Sequence, residues 1–208
     1  MNNDWNFDES VADRFHNEAT SHIPSYELVI EKSLNLANLV CSKSDTIIDV
    51  GSAIGYTVKK FIENGFINTY GVESSLAMIS KSFYPNMIIH SNSLPNKNYN
   101  LVMMNWTLHF IVDKLNYLGD IHNHLLNDGH FILTDKLLQS EEVKTLYYDF
   151  KLQNKVSMEY ILEKENKLKN IMFCHTLDYY TKMFEQVGFN YEILHGDLGF
   201  VTFLCRKT

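Results

Sequence analysis

Cysteine is scarce in this 208-residue chain, and Cys41, Cys174 and Cys205 are odd in number and far apart. No Cys-x-x-Cys pair occurs, so the spacing suggests neither a zinc site nor a disulfide framework, and free thiols in a reducing compartment are expected. With only three prolines and nine glycines, no Pro/Gly/Ser-rich linker divides the chain, and a single domain over 1–208 is expected. No run of about 20 apolar residues occurs, which excludes a membrane-spanning helix. Met1 to Ser10 is polar and acidic and lacks the apolar centre of a secretory leader, so a cytoplasmic location is expected, with order everywhere except the first few residues. Positive charge is also in deficit: 18 Lys and Arg against 25 Asp and Glu leave a net charge of −7. Nucleic-acid affinity comes largely from phosphate neutralisation, so direct nucleic-acid binding is not expected and a small-molecule substrate is favoured.

What is present is ordinary globular material, 45% apolar and 21% charged, without internal repeats. The length allows one substantial core. Ser25 to Val40 carries Leu28, Val29, Leu34, Leu36 and Leu39 near helical spacing after Pro24, with Ser25 as the expected N-cap. Thr46 to Val50 is short, β-branched and ended by Gly51, and reads as a buried strand. A helix over 55–65, a strand over Thr69–Glu73, a short helix over 75–83 and strands over Met87–His90 and Leu101–Asn105 follow. A helix over 113–126 is expected to stop at Asn127-Asp128-Gly129, before a strand over His130–Thr134. Such alternation predicts an α/β fold with a mostly parallel sheet covered on both faces. The charged stretch 140–172 interrupts it as a helical insertion. A helix over Thr176–Val187, closed by Gly188, precedes an antiparallel pair at Tyr191–Leu194 and Phe200–Cys205.

Chemistry enters at Asp49-Val50-Gly51-Ser52-Ala53-Ile54-Gly55, which leaves a strand and opens a helix. Glycine there permits a tight turn and close ligand approach, and the free N–H groups of the helix start add a positive end. Glu73 ends the next strand, where an acid beside the first loop can accept both ribose hydroxyls. The Gly-x-Gly-x-x-Gly pattern of dinucleotide folds is absent because Ala53 holds the middle position, which argues against NAD or FAD.

With these residues the chain resembles the class I S-adenosylmethionine (SAM)-dependent methyltransferases, in which the glycine loop, the acid ending the second strand and a polar residue after the fourth correspond to Asp49–Gly55, Glu73 and Asn105. The resemblance implies a Rossmann-like, seven-stranded sheet with a C-terminal antiparallel hairpin. A narrower likeness is to the carboxy-SAM synthases, which act in tRNA wobble-uridine modification. Phe7–Ala12 and Ile23–Tyr26 resemble that family's N-terminal helical cap, here 1–44. Asn105-Trp106-Thr107-Leu108-His109-Phe110 resembles its Asn-Phe-Thr-Leu-Gln-Phe segment, and Tyr148-Asp149-Phe150-Lys151, Asn154, Ser157, Leu168, Asn170, Met172 and Thr176 resemble its insertion. The likeness implies that SAM or carboxy-SAM is held by Tyr26, Gly51, Ser52, Ala53, Glu73 with Ser74, Ser93 with Leu94, and Asn105, and that the protein is a homodimer. Two positions depart. Ser93 replaces an Asp, weakening a contact to the adenine amino group. Glu165 replaces the Arg that pairs with the sulfonium-borne carboxylate, and a Glu there repels it. Lys164 or Lys167 substitutes only if the helix turns. Trp106 either floors the cofactor pocket or packs under the sheet.

Three functions remain open: methyl transfer to a small acceptor, carboxy-SAM synthesis from SAM and prephenate, and a catalytically silent SAM-binding scaffold. The sulfonium is already a strong electrophile, so a protein base is needed only where the acceptor carries a proton of high pKa. Candidate bases are His109, Tyr148, Asp149 and His175. In the synthase reaction prephenate supplies both carbon dioxide and the base. His122, Asn123 and His124 lack metal-pair spacing and are expected on a solvated face, as are the lysines of 164–169. The pairs Tyr147-Tyr148 and Tyr179-Tyr180 are expected mainly as core or interface aromatics.

Overall fold

The computed structural model describes residues 6–208; the first residues, where disorder is expected, lie outside them. Seven strands form one sheet in the order β3-β2-β1-β4-β5-β7-β6. They are β1 (Ile47–Val50), β2 (Thr69–Glu73), β3 (Ile88–His90), β4 (Tyr99–Asn105), β5 (Leu125–Lys136), β6 (Phe189–Asp197) and β7 (Phe200–Lys207). The first five pair in parallel, and β7 pairs antiparallel with both β5 and β6. This is the predicted Rossmann-like methyltransferase architecture.

The strand residues alternate between two cores, as the two-residue period of a strand requires. Ile48, Val102, Met104, Phe131 and Leu133 face one side, under α6 (Lys114–His124) and α9 (Leu177–Val187). Ile47, Leu101, Met103 and Ile132 face the other, with Ala37 of α3 (Tyr26–Val40) and Phe61 of α4 (Tyr56–Glu63). All of these side chains are buried. α9 has the ends its sequence announces, since Thr176 caps the N-terminus through the Tyr179 N–H and Gly188 ends it at φ +93°.

Several boundaries differ. The helical cap contains two further short helices, α1 (Glu9–Ala12) and α2 (Phe15–His22). Ser25 does not cap α3 with its side chain; it sits at φ +57° and its hydroxyl donates to Asp197 Oδ2 at 2.7 Å. α6 ends at His124, and Asn127-Asp128-Gly129 lies inside β5, because Leu125 already pairs with Tyr99 before the register shifts to Leu101–His130. The insertion is two helices, α7 (Glu141–Gln153) and α8 (Met158–Leu168), capped by Ser140 and Ser157. Short α5 is Leu76–Ser80. Among the described residues no helix is long and apolar enough to cross a membrane.

Candidate cofactor and active site

The chain runs from β1 through β2 to β3 on one side and resumes at β4 on the other. A crevice opens beyond the C-terminal ends of strands where the order reverses in this way. A cavity of about 670 Å³ occupies it, roofed by α2 and by α7 and α8. Three of five consecutive residues in the floor loop are left-handed: Gly51 (φ +74°), Ala53 (φ +48°) and Gly55 (φ +70°). A Cβ on Gly51 would fall inside the Thr107 side chain, so the loop packs against the segment after β4 only because position 51 has none. Ala53 adopts a conformation that costs a residue with a Cβ about 1–2 kcal/mol.

That conformation turns the Ala53 N–H toward Glu73, which accepts it at Oε2 at 2.8 Å. Glu73 Oε1 accepts the Ser75 N–H at 2.8 Å and the Ser74 hydroxyl at 3.4 Å. Oε2 retains a lone pair for a ribose hydroxyl, and Oε1 gains one when the long Ser74 contact gives way. Asp49 is buried at 3% exposure behind the loop. Burial, and then the charge of Glu73, pushes its carboxyl up to about 8, against a lowering hydrogen bond from Thr57.

Opposite stands a pile of rings: Tyr26 on Trp106 at 4.7 Å between centroids, and Tyr56 on Tyr26 at 6.3 Å. Trp106 lines the cavity and does not pack under the sheet; it is held at φ +56°, with its backbone N–H donating to Thr134 O at 2.6 Å. Asn105 is 7% exposed, and neither its Oδ1 nor its Nδ2 has a partner; the Trp106 Nε1 is likewise buried and unpartnered. Buried polar atoms are normally paired, so three orphans on one cavity wall mark where a ligand's polar edge belongs. The acid, the open glycine loop and these orphans suit a nucleoside with a cationic substituent.

Other predicted residues separate. Ser93 and Leu94 do not reach the cavity wall. The Ser93 N–H is turned back on Ser91 Oγ at 3.1 Å and Leu94 is buried in the core, while Ser91 and Asn92 line the cavity in their place. His175 is off the wall, stacked on Tyr179 at 4.0 Å, and Asp149 is exposed on the outer face of α7. Tyr148 and Glu165 do line the cavity, where they bond each other. Lys144 closes on the other Glu165 oxygen at 2.6 Å, and together these partners hold its carboxyl below the usual range against the opposing effect of burial. Lys164 is taken by Glu18 at 2.7 Å and Lys167 by Glu163 at 2.6 Å, so neither replaces the missing Arg.

Two groups of residues escaped the sequence reading. Lys136 and Lys151 line the insertion end of the cavity, above Tyr147 at 4.6 and 4.0 Å from its centroid, with no acid within ion-pair distance among the described residues. Burial, then the charges of Lys136 and Lys164, pushes Lys151 down to about 7. Asp135, fully buried at the end of β5, bonds His109 Nδ1 with one oxygen and the Tyr180 hydroxyl with the other. The β-branched run suggests a strand ending at Thr134, and only the pairing with β7, which carries β5 on to Lys136, shows that Asp135 sits inside the sheet.

The methyltransferase domain profile matches residues 22–193. The chain belongs to that family. Its cofactor is therefore SAM, and the chain is a SAM-dependent transferase. A carboxy-S-adenosyl-L-methionine synthase from Sodalis glossinidius is 27% identical over 96% of this chain and 88% of its own length. One from Nautilia profundicola is 26% identical over 98% and 94%. The fold also matches that of a putative SAM-dependent methyltransferase from Methanococcus maripaludis, with TM-score 0.69 and 17% identity over 100% of this chain and 97% of that one. Magnesium protoporphyrin IX methyltransferase from Synechocystis, solved with the demethylated cofactor SAH, superposes with TM-score 0.69 at 10% identity over 97% and 96%.

Proposed function

We propose that this methyltransferase-family chain transfers the methyl group of SAM to a small acceptor that enters beneath the α7–α8 roof. The observation that carries the reading is the state of Glu165. It lies on the cavity wall, bonded by Lys144 and Tyr148, so the position offers a carboxylate with its paired lysine, and no unpaired guanidinium, to whatever the sulfonium bears. A methyl group needs no counter-charge; a carboxylate does.

Glu73 and Asn105 would hold the nucleoside, Gly51 to Ala53 would admit it, and the Tyr26–Trp106 pair would shield the reacting carbon from water. The bound cofactor supplies an electrophilic methyl on a sulfonium. The protein's work is then alignment of the acceptor at near-attack distance. The acceptor is a small molecule, since the cavity is closed over by the cap and insertion. A homodimer acting in the cytoplasm is part of the proposal.

One observation favours carboxy-SAM synthesis as a second reading. Among the described residues Lys136 and Lys151 stand without acid partners in the same cavity, and the likeness to the synthases spans nearly the whole chain. Mass spectrometry of the ligand that co-purifies separates the readings. SAM or SAH supports methyl transfer and carboxy-SAM supports the synthase. No ligand, with no binding of SAH by calorimetry, returns the silent scaffold. Glu165→Arg is expected to raise affinity for carboxy-SAM relative to SAM by on the order of tenfold, the value of one charge-assisted pair of about 1.5–3 kcal/mol. An unchanged ratio would mean that Glu165 does not face the sulfonium substituent.

A further inference from the structure

We infer that His109 is the general base of this site and that the acceptor it serves reacts through a hydroxyl oxygen. The inference rests on the methyl-transfer reading and names the acceptor that reading leaves open.

His109 is 4% exposed and its ring borders the cavity shared by Asn105 and Trp106. Its backbone is pinned, because its carbonyl accepts the Phe173 N–H at 2.7 Å, and the Phe110 ring packs against the imidazole at 4.3 Å. Asp135 bonds Nδ1. Nε2 has no partner among the described residues and is not sealed from the cavity.

The remainder follows from donors and acceptors. Tyr180 is fully buried, and burial and Asp135 hold its hydroxyl far above the ordinary tyrosine range, so it stays protonated and donates to Asp135. The other Asp135 oxygen is left to accept from His109, which places the imidazole proton on Nδ1 and the lone pair on Nε2, toward the cavity. Lys114, 2% exposed, is pushed down by burial, an effect its attraction to Asp135 opposes, and it supplies the neighbouring positive charge that a buried carboxylate requires. His175 also feels Asp135 and Lys114, but it is stacked on Tyr179 away from the cavity. An orienting carboxylate, a fixed tautomer and a free Nε2 on the cavity wall make the arrangement a general base needs.

A base matters only for an acceptor whose nucleophilic atom carries a proton it will not otherwise lose. Nε2 takes the proton of the acceptor O–H, and the oxygen electron pair forms the bond to the methyl carbon. The carbon–sulfur bond breaks with its pair going to sulfur, which leaves the neutral thioether. The imidazolium, stabilised by Asp135, then returns its proton to solvent. His109 is the catalytic residue; Asp135 and Tyr180 are positioning residues.

The test uses 4-nitrophenol, whose anion absorbs in the visible, added to the full-length protein saturated with SAH. Wild type is expected to bind it as the anion and develop the visible band at a pH where the free phenol is largely neutral. His109→Gln should bind SAH as wild type does but give no band. Because Asp135 is buried, Tyr180→Phe is the companion variant. It keeps the ring and removes only the hydrogen bond donated to Asp135, so the Nδ1–H resonance of His109 should move downfield as its own bond to Asp135 strengthens. In wild type the nitrogen-15 spectrum should show the proton on Nδ1. No band in SAH-loaded wild type, an equal band in His109→Gln, or a proton resident on Nε2 would each overturn the assignment. Failure of SAH itself to bind would instead overturn the methyl-transfer reading on which it rests.

Discussion

At the scale of single residues, two features of the floor loop make opposite demands. Ala53 occupies a left-handed conformation (φ +48°) so that its N–H reaches Glu73. Ala53→Gly should therefore stabilise the fold by about 1 kcal/mol, read as a higher midpoint in urea, because glycine adopts that conformation without strain. A lower midpoint would mean the strain is not there. Asp49 is held protonated near neutral pH by burial and by Glu73, with its folded value of about 8 standing above the ordinary 3.8. The folded state thus binds more protons than the unfolded between those values, and the stability Asp49 contributes is complete below 3.8 and is lost as pH rises to about 8. Asp49→Asn should flatten that slope. A cationic ligand beside Asp49 should expel its proton, so calorimetry of SAM binding at pH 7 in buffers of different ionisation heat should show net proton release, absent in the variant. The glycine loop and Glu73 were legible because turn chemistry and strand ends are local. Asp135 and Lys151 were not, since their significance comes from what stands across the sheet or cavity. Ser93 and Leu94 came from correspondence with a family, and the local turn onto Ser91 sets their orientation instead.

At the scale of elements, alternating strands and the long apolar stripes of α3 and α9 declared themselves by period. α1 and α2 did not, because Phe15–His22 buries only Ala19 and His22, too narrow a stripe to stand out. The insertion read as one charged stretch, although Lys155 at φ +66° and the Ser157 cap divide it. What anchors it is Glu18 of α2, which accepts from Tyr160 and Lys164 of α8, both at 2.7 Å, beside Arg14. Removing that charge takes away the Glu18–Lys164 ion pair between α2 and α8. Glu18→Gln should destabilise the roof by on the order of 1 kcal/mol, appearing as faster amide exchange in α8 than in the sheet. Unchanged α8 protection would show that apolar packing alone seats the insertion.

At the scale of the whole molecule the cavity is electrically divided. Its floor carries Asp49 and Glu73, and its far end carries Lys136, Lys144, Lys151 and Lys164 against Glu18, Glu141 and Glu165. A net charge of −7 does not describe this surface; in the proposed function the cation of the cofactor faces the acidic end and the acceptor the basic one. The central claim is that Glu73 and the loop at Gly51 grasp the nucleoside of SAM, and calorimetric titration with SAH of wild type, Glu73→Ala and Gly51→Ala tests it most directly. Wild type should bind one equivalent, Glu73→Ala should bind on the order of 100-fold more weakly for the loss of charge-assisted bonds to the ribose, and Gly51→Ala should not bind measurably. Equal affinities in all three proteins would contradict the account.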